Sequence, residues 1–437
     1  GPLALQWFGL PGPQSMVDRH HRGAAPLYKS GVLYVPGNEK IYGVDAYNGT
    51  VRWEVDVPGS RRIGVLRDCG TMCAVQKGIF VAAGKTCTLL SATDGQPLWQ
   101  FEVPSSETPS SLEWGLVACD DGLLFGSGVP AGGIRRGHSR NSIIEGVYWD
   151  FRPIVFSDSL FAFDQNTRKR EWLYAPADRV ILNPTITLGG GQIYFVEVAK
   201  PVDPKTTGRV EIDKALNRDV KLVALSAKTG NIAWKQAVDY AAIEHHLYAL
   251  YGQNILVTVG SRNQPRGKKG PSQVWYDLHA YDAKTGKLLW KKSQNNQTAS
   301  GGDHGEQDHH PVLVGNRLFV EPFAYNLQTG EPVSDWQWHR GHRGGCGTVS
   351  ASGGAFFFRD SNAAMFDLTD QKHFKITQVS RPGCWINMIP AGSLLLIPEA
   401  SSGCSCHFPV QASMAFRPAL KDEEPTNRES SPDNKPK

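Results

Sequence analysis

Long hydrophobic runs are missing from this chain of 437 residues. No apolar stretch approaches the roughly 18 to 20 residues of a spanning helix, so no membrane span is expected. A surplus of one charge is missing too. The chain has 46 Lys and Arg against 42 Asp and Glu, and a formal net charge of +4 gives no reason to expect a nucleic-acid partner. RGKKG, from Arg266 to Gly270, reads as a solvated loop. The haem-attachment motif is absent, because Cys404-Ser405-Cys406-His407 is one residue short of CxxCH. Neither an initiating Met nor a signal peptide precedes Gly1-Pro2. Processing, an engineered boundary or the loss of an upstream domain missing from this chain would each account for that start.

What the chain has is a repeated phrase. GVDAYNGTVRW ends at Trp53, LLSATDGQPLW at Trp99, ALSAKTGNIAW at Trp234 and AYDAKTGKLLW at Trp290. A turn followed by a Trp at fixed offset, recurring this often, is the mark of radial repetition. Within one unit, alternating apolar positions rich in Val, Tyr and Trp flank Asn-Gly or Thr-Gly, which is hairpin grammar. The expected fold is all-β, an eight-bladed β-propeller of four-stranded antiparallel blades. Second strands are expected to begin near Val32, Ile79, Leu123, Ile193, Ile255, Leu318, Ala355 and Leu394. The last unit lacks an outer strand with a Trp, whereas LALQWFG at Leu3 to Gly9 is such a strand without a unit. The N-terminal strand therefore closes the ring beside Met414 to Arg417, which removes an exposed edge. One domain is expected over 1–418, followed by a disordered, charged tail over 419–437.

A meandering blade puts its tight turns on one face and its long connections on the other. Ser30-Gly31, Lys77-Gly78, Asn48-Gly49 and Thr285-Gly286 mark the tight face, while the segments 126–157, 199–219 and 260–275 read as insertions on the opposite one. Of 13 histidines, eight fall in the blade-to-blade loops of that second face, so they are expected to converge on the channel mouth. Asp303 to Pro311 holds three imidazoles and three carboxylates, which favours a ligand or proton-transfer role for His304, His309 and His310. His245 and His246 are either metal ligands with them or ordinary partners of buried backbone groups. No zinc spacing is matched. Arg19, His20, His21 and Arg22, with Arg61, Arg62, Arg340, His342, Arg343 and Arg381, either bind an anionic cofactor or substrate or pair with neighbouring carboxylates. Cys73, Cys87 and Cys119 lie in strands, where a small buried hydrophobe is the default. Cys346, Cys384, Cys404 and Cys406 fall in loops of adjacent blades and read as disulfides or as a thiolate metal site.

The phrase ending at Trp290 resembles the repeat of pyrroloquinoline-quinone-type (PQQ-like) propellers, a superfamily of quinoprotein dehydrogenases and a non-enzymatic outer-membrane assembly lipoprotein. The likeness covers residues 3 to 418. A narrower resemblance is to bacterial propellers carrying an Arg-His-His segment, GCGT, RPGCW and SSGCxC, found here as Asp18 to Arg22, Gly345 to Thr348, Arg381 to Trp385 and Ser401 to Cys406. Some of those are fused to a methyltransferase domain. The adjacent cysteine pair of the quinoprotein dehydrogenases is absent. The resemblance implies a periplasmic or exported protein with a site at the channel mouth for a small-molecule ligand, a transition metal or a PQQ-like quinone, extending to an oxidoreductase. The competing implication is a scaffold for a protein partner or for an upstream domain.

Overall fold

The computed structural model describes residues 3–12, 16–18, 22–68, 70–104, 111–137, 153–201, 208–265, 272–299, 309–336, 338–340, 346–378, 382–383, 385, 388–399, 401–402 and 412–420. Among them the chain is all-β, with helix confined to single turns such as Val65–Asp68 and Ile212–Ala215. Six antiparallel sheets are four-stranded, one is three-stranded and one seven-stranded. Each expected second strand is present: Val32–Pro36, Gly78–Ala83, Leu123–Pro130, Gln192–Ala199, Ile255–Gln264, Arg317–Val320, Ala355–Asp360 and Leu394–Ile397.

Burial falls from the middle of a sheet outward, and the sequence follows it. Val32–Pro36 is buried on both faces because other sheets cover both, so it is apolar throughout rather than alternating. In the outer strand Val51–Asp56 only Trp53 is buried. That Trp belongs to the next sheet as much as to its own. Its Nε1–H donates to the carbonyl of Ala92 at 3.1 Å, and the ring lies where a side chain on Gly95 would be, 2.7 Å from an ideal Cβ. Trp172, Trp234 and Trp290 repeat the contact on Ala227 and Gly230, on Ala283 and Gly286, and on Leu327 and Gly330. The conserved offset between turn and Trp is thus a dovetail between successive sheets.

The N-terminal strand Leu3–Gly9 takes part in the same way. It pairs with Ser413–Pro418, Trp7 opposite Ala415, in a sheet that continues through Leu394–Ile397 to Ile389–Ala391. Trp7 donates to the carbonyl of Ala46 at 2.8 Å and covers Gly49. First strands of successive sheets touch, among them Leu27–Lys29 with Met72–Val75 and Ile389–Ala391 with Leu27–Lys29.

Three expectations about local structure change. Segment 260–275 is strand at both ends, because Ile255–Gln264 and Gln273–Asp282 run on as one long hairpin. From 126–157 comes a strand, Pro153–Ser157, that crosses to the following sheet and pairs with both Arg179–Leu182 and Arg209–Glu211, making it seven-stranded. Trp336, which follows Trp290 by 46 residues as Trp99 follows Trp53, lies in no strand. Pro332 interrupts the ladder there, leaving an isolated bridge to Tyr325, and the Trp338 N–H reaches the Pro322 carbonyl at 2.9 Å.

Candidate functional site

Connections leading into the first strands bring the loop motifs together. Val17 and Asp18, at the start of the Arg-His-His segment, pair in parallel with Ser401 and Ser402 of SSGCSC. Arg22 is buried and its guanidinium lies 4.1 Å from the ring centroid of Trp385, the last residue of RPGCW. The Trp385 N–H faces the carbonyl of Cys346, in GCGT, at 3.5 Å, and the next carbonyl, of Gly347, accepts from Arg340 Nη1. Arg340 completes the chain of contacts. It donates from Nε to Glu321 Oε2 and from its backbone N–H to Oε1, both at 2.9 Å, while His309 Nδ1 lies 3.5 Å from Oε2. Burial pushes the Glu321 carboxyl up, but Arg340 and His309 more than offset it and hold it below the usual range.

A second group of rings adjoins this knot. His246 stacks on Tyr248 with centroids 3.6 Å apart, and His310 contacts the same tyrosine at 4.3 Å. His310 Nδ1 is 2.7 Å from the Pro311 carbonyl, which makes it the protonated nitrogen of a neutral ring. Burial lowers its pKa, against that hydrogen bond. His309 is held from its backbone, whose N–H donates to Tyr276 Oη at 3.1 Å. Glu244 accepts from the Asn263 N–H at 2.9 Å, and His245 Nε2 lies 3.9 Å from the same carboxyl oxygen. His309, His310, Glu321, Arg340 and Tyr276 enclose a cavity of about 20 Å³, room for a single water or ion.

Elsewhere on this face the arginines are structural. Arg62, buried, donates to the carbonyls of Gly115 at 2.7 Å and Trp114, and Arg61 reaches Asn38 at 3.0 Å and the Arg136 carbonyl. Asp68 is fully buried and paired with Arg209, on the strand Arg209–Glu211 that pairs with the crossing strand.

Of the residues expected at the mouth, the structure brings together Arg22, His246, His309, His310, Arg340 and Cys346, with His245 beside Glu244 and with Arg61 and Arg62 bound to their own neighbours. Arg19, His20, His21, His304, His342, Arg343, Arg381, Cys384, Cys404 and Cys406 lie outside the described residues. Among the described residues no three His, Cys, Asp or Glu side chains form a metal cluster. Sequence reasoning missed Glu321, Tyr248 and Tyr276. Glu321 had a signal, a lone carboxylate directly after the apolar run LFV. It also missed a cleft of about 1000 Å³ on the flank of the long hairpin. There Asp277 binds Arg262 at 2.6 Å and Ser293 at 2.5 Å beside His279.

No curated protein matches the sequence. Three solved structures share the architecture. BamB from Moraxella catarrhalis is 11% identical with a TM-score of 0.52, over 95% of this chain and 99% of that one. Quinohemoprotein alcohol dehydrogenase from Comamonas testosteroni is 12% identical with a TM-score of 0.55, over 95% and 76%. A europium-containing methanol dehydrogenase is 11% identical with a TM-score of 0.53, over 91% and 83%. At such identities the likeness is one of fold. The family model described as outer membrane protein assembly factor BamB matches residues 10–134, 160–320 and 218–360. Repeat phrase, sheet architecture and family model agree, and the chain belongs to this family of PQQ-like repeat β-propellers.

Proposed function

We propose that residues 1–418 form an exported, eight-bladed propeller, closed by its N-terminal strand, that binds a small ligand or cofactor among the histidines and arginines over its channel mouth; 419–437 is a tail outside it. The eight second strands and the Trp7 dovetail on Ala46 support the blade count and the closure. The observation that carries the function is the setting of His309 and His310. Glu321 stands 3.5 Å behind Nδ1 of His309, and His310, with Nδ1 on the Pro311 carbonyl, is a neutral ring that keeps its lone pair on Nε2. That is the form in which imidazole holds a transition metal or takes a proton, and a carboxylate behind the ring raises its basicity. His245, His246 and His304 are the further candidate ligands in this reading. Arg22 and Arg340, with Arg19, Arg343 and Arg381, supply positive charge for an anionic substrate or a quinone. A bound metal would add Lewis-acid or electron-transfer chemistry, and the sharper form of the proposal is an oxidoreductase.

Metal analysis of purified full chain tests this. A stoichiometric transition metal lost in His309→Ala/His310→Ala, with the melting curve retained, supports it. Metal-free protein that gains none on reconstitution and shows no quinone absorbance overturns it. A second reading, a scaffold for a protein partner, is favoured by the apolar outer strand, where Phe8 and Leu10 are 69% and 66% exposed, and by the assembly role in the family model's description.

A further inference from the structure

Cys73 and Cys119 are not the buried core residues that composition suggests. Cys73 sits on the first strand Met72–Val75 of one sheet and Cys119 on the first strand Leu112–Asp120 of the next, and these two strands touch. Both side chains are part-exposed, whereas Cys87, from the same hydrophobic cluster, is sealed. The two thiols act on each other as close neighbours, and both pack against one hydrophobic cluster. Two part-exposed thiols on touching strands, 46 positions apart in the chain, are a pair and not two packing residues.

We propose that Cys73 and Cys119 form a reversible disulfide that staples the first strands of neighbouring sheets. Polarity of the pair assigns the roles. Hydrogen bonding from Cys119 lowers the Cys73 pKa against burial, with Lys29 assisting, while the same hydrogen bond and burial push Cys119 up. Cys73 is therefore the thiolate that attacks first, since the thiolate is the nucleophile. With a small disulfide RSSR as oxidant, Cys73 S⁻ bonds to one sulfur and expels RS⁻, giving a mixed disulfide. Cys119 then attacks Cys73 Sγ and expels the second RS⁻. The two protein protons end on the two leaving thiolates, so two protein thiols are oxidised as RSSR is reduced to two RSH. Closing the bond needs the sulfurs to come within about 2.05 Å of each other, through χ1 rotation and small strand movement. The bridge constrains the unfolded chain over the whole intervening sheet.

The test uses the full chain incubated with oxidised glutathione, then denatured, alkylated and digested. The expected product is a peptide pair joined through Cys73 and Cys119, lighter than the two thiol peptides by two hydrogens. Oxidation also raises the melting temperature by roughly 5 °C, reversed by reductant. That rise is absent in Cys73→Ser and Cys119→Ser and kept in Cys87→Ala. Recovery of both cysteines alkylated, or of glutathione left on either one, overturns the proposal, and this readout on the unmutated protein does not depend on any variant folding.

Discussion

Arg22 and Trp385 face each other across most of the sequence, guanidinium carbon 4.1 Å from ring centroid, both buried. One stands at the end of the Arg-His-His segment and the other at the end of RPGCW, so two loop motifs are joined by one cation–π contact. Desolvated, such a contact is worth about 2 kcal/mol. A double-mutant cycle of Arg22→Gln and Trp385→Leu, followed by urea unfolding, is expected to give a coupling of roughly 1–2 kcal/mol. Additive single effects would mean that the rings merely share a neighbourhood.

Trp7 is expected to matter far beyond its place near the chain start. It is buried, bonded to the Ala46 carbonyl and packed on Gly49. Trp7→Ala should cost about 3–5 kcal/mol, as for other buried Trp truncations. A urea midpoint equal to that of the parent would remove the support for closure by the N-terminal strand.

Glu321 is held in place by the charge it neutralises. Glu321→Gln leaves Arg340 buried and short of a counter-ion, which should lower stability by about 3–5 kcal/mol. Adding Arg340→Met should restore much of that loss. If the double variant is as unstable as the single one, Glu321 acts through packing and not through the ion pair.

Acid should weaken the site before it unfolds the sheets. His310 has a folded pKa below its ordinary 6.5, so it is more readily protonated unfolded than folded. Its contribution is full above 6.5 and is lost as pH falls from there through the folded value. Glu321, also depressed, holds its contribution above the ordinary carboxylate pKa of 4.5 and loses it at lower pH, through its own folded value. The urea midpoint is therefore expected to drop between pH 7.5 and 5.5, and to drop less in His310→Asn. Equal drops in both proteins would assign the pH dependence to other groups.

The all-β architecture was legible in the sequence because it rests on local grammar repeated many times. Asp282 shows why. Its side chain accepts N–H bonds from Lys284 and Thr285, and the turn recurs with a short polar acceptor in that place, Ser91, Ser226 and Asn326 among them. Asp45, Asp164 and Asp367 do the same in their own turns. The closeness of the loops that carry His246, His309 and His310 was legible, since connections into neighbouring first strands run to one face. Only the tertiary structure decided which members meet. Glu321 reaching Arg340, His246 and His310 sharing Tyr248, and Cys73 meeting Cys119 each join residues on different sheets or loops. No local pattern records such a meeting, because it depends on how far each sheet is rotated against the next and on which side chain fills the gap between them.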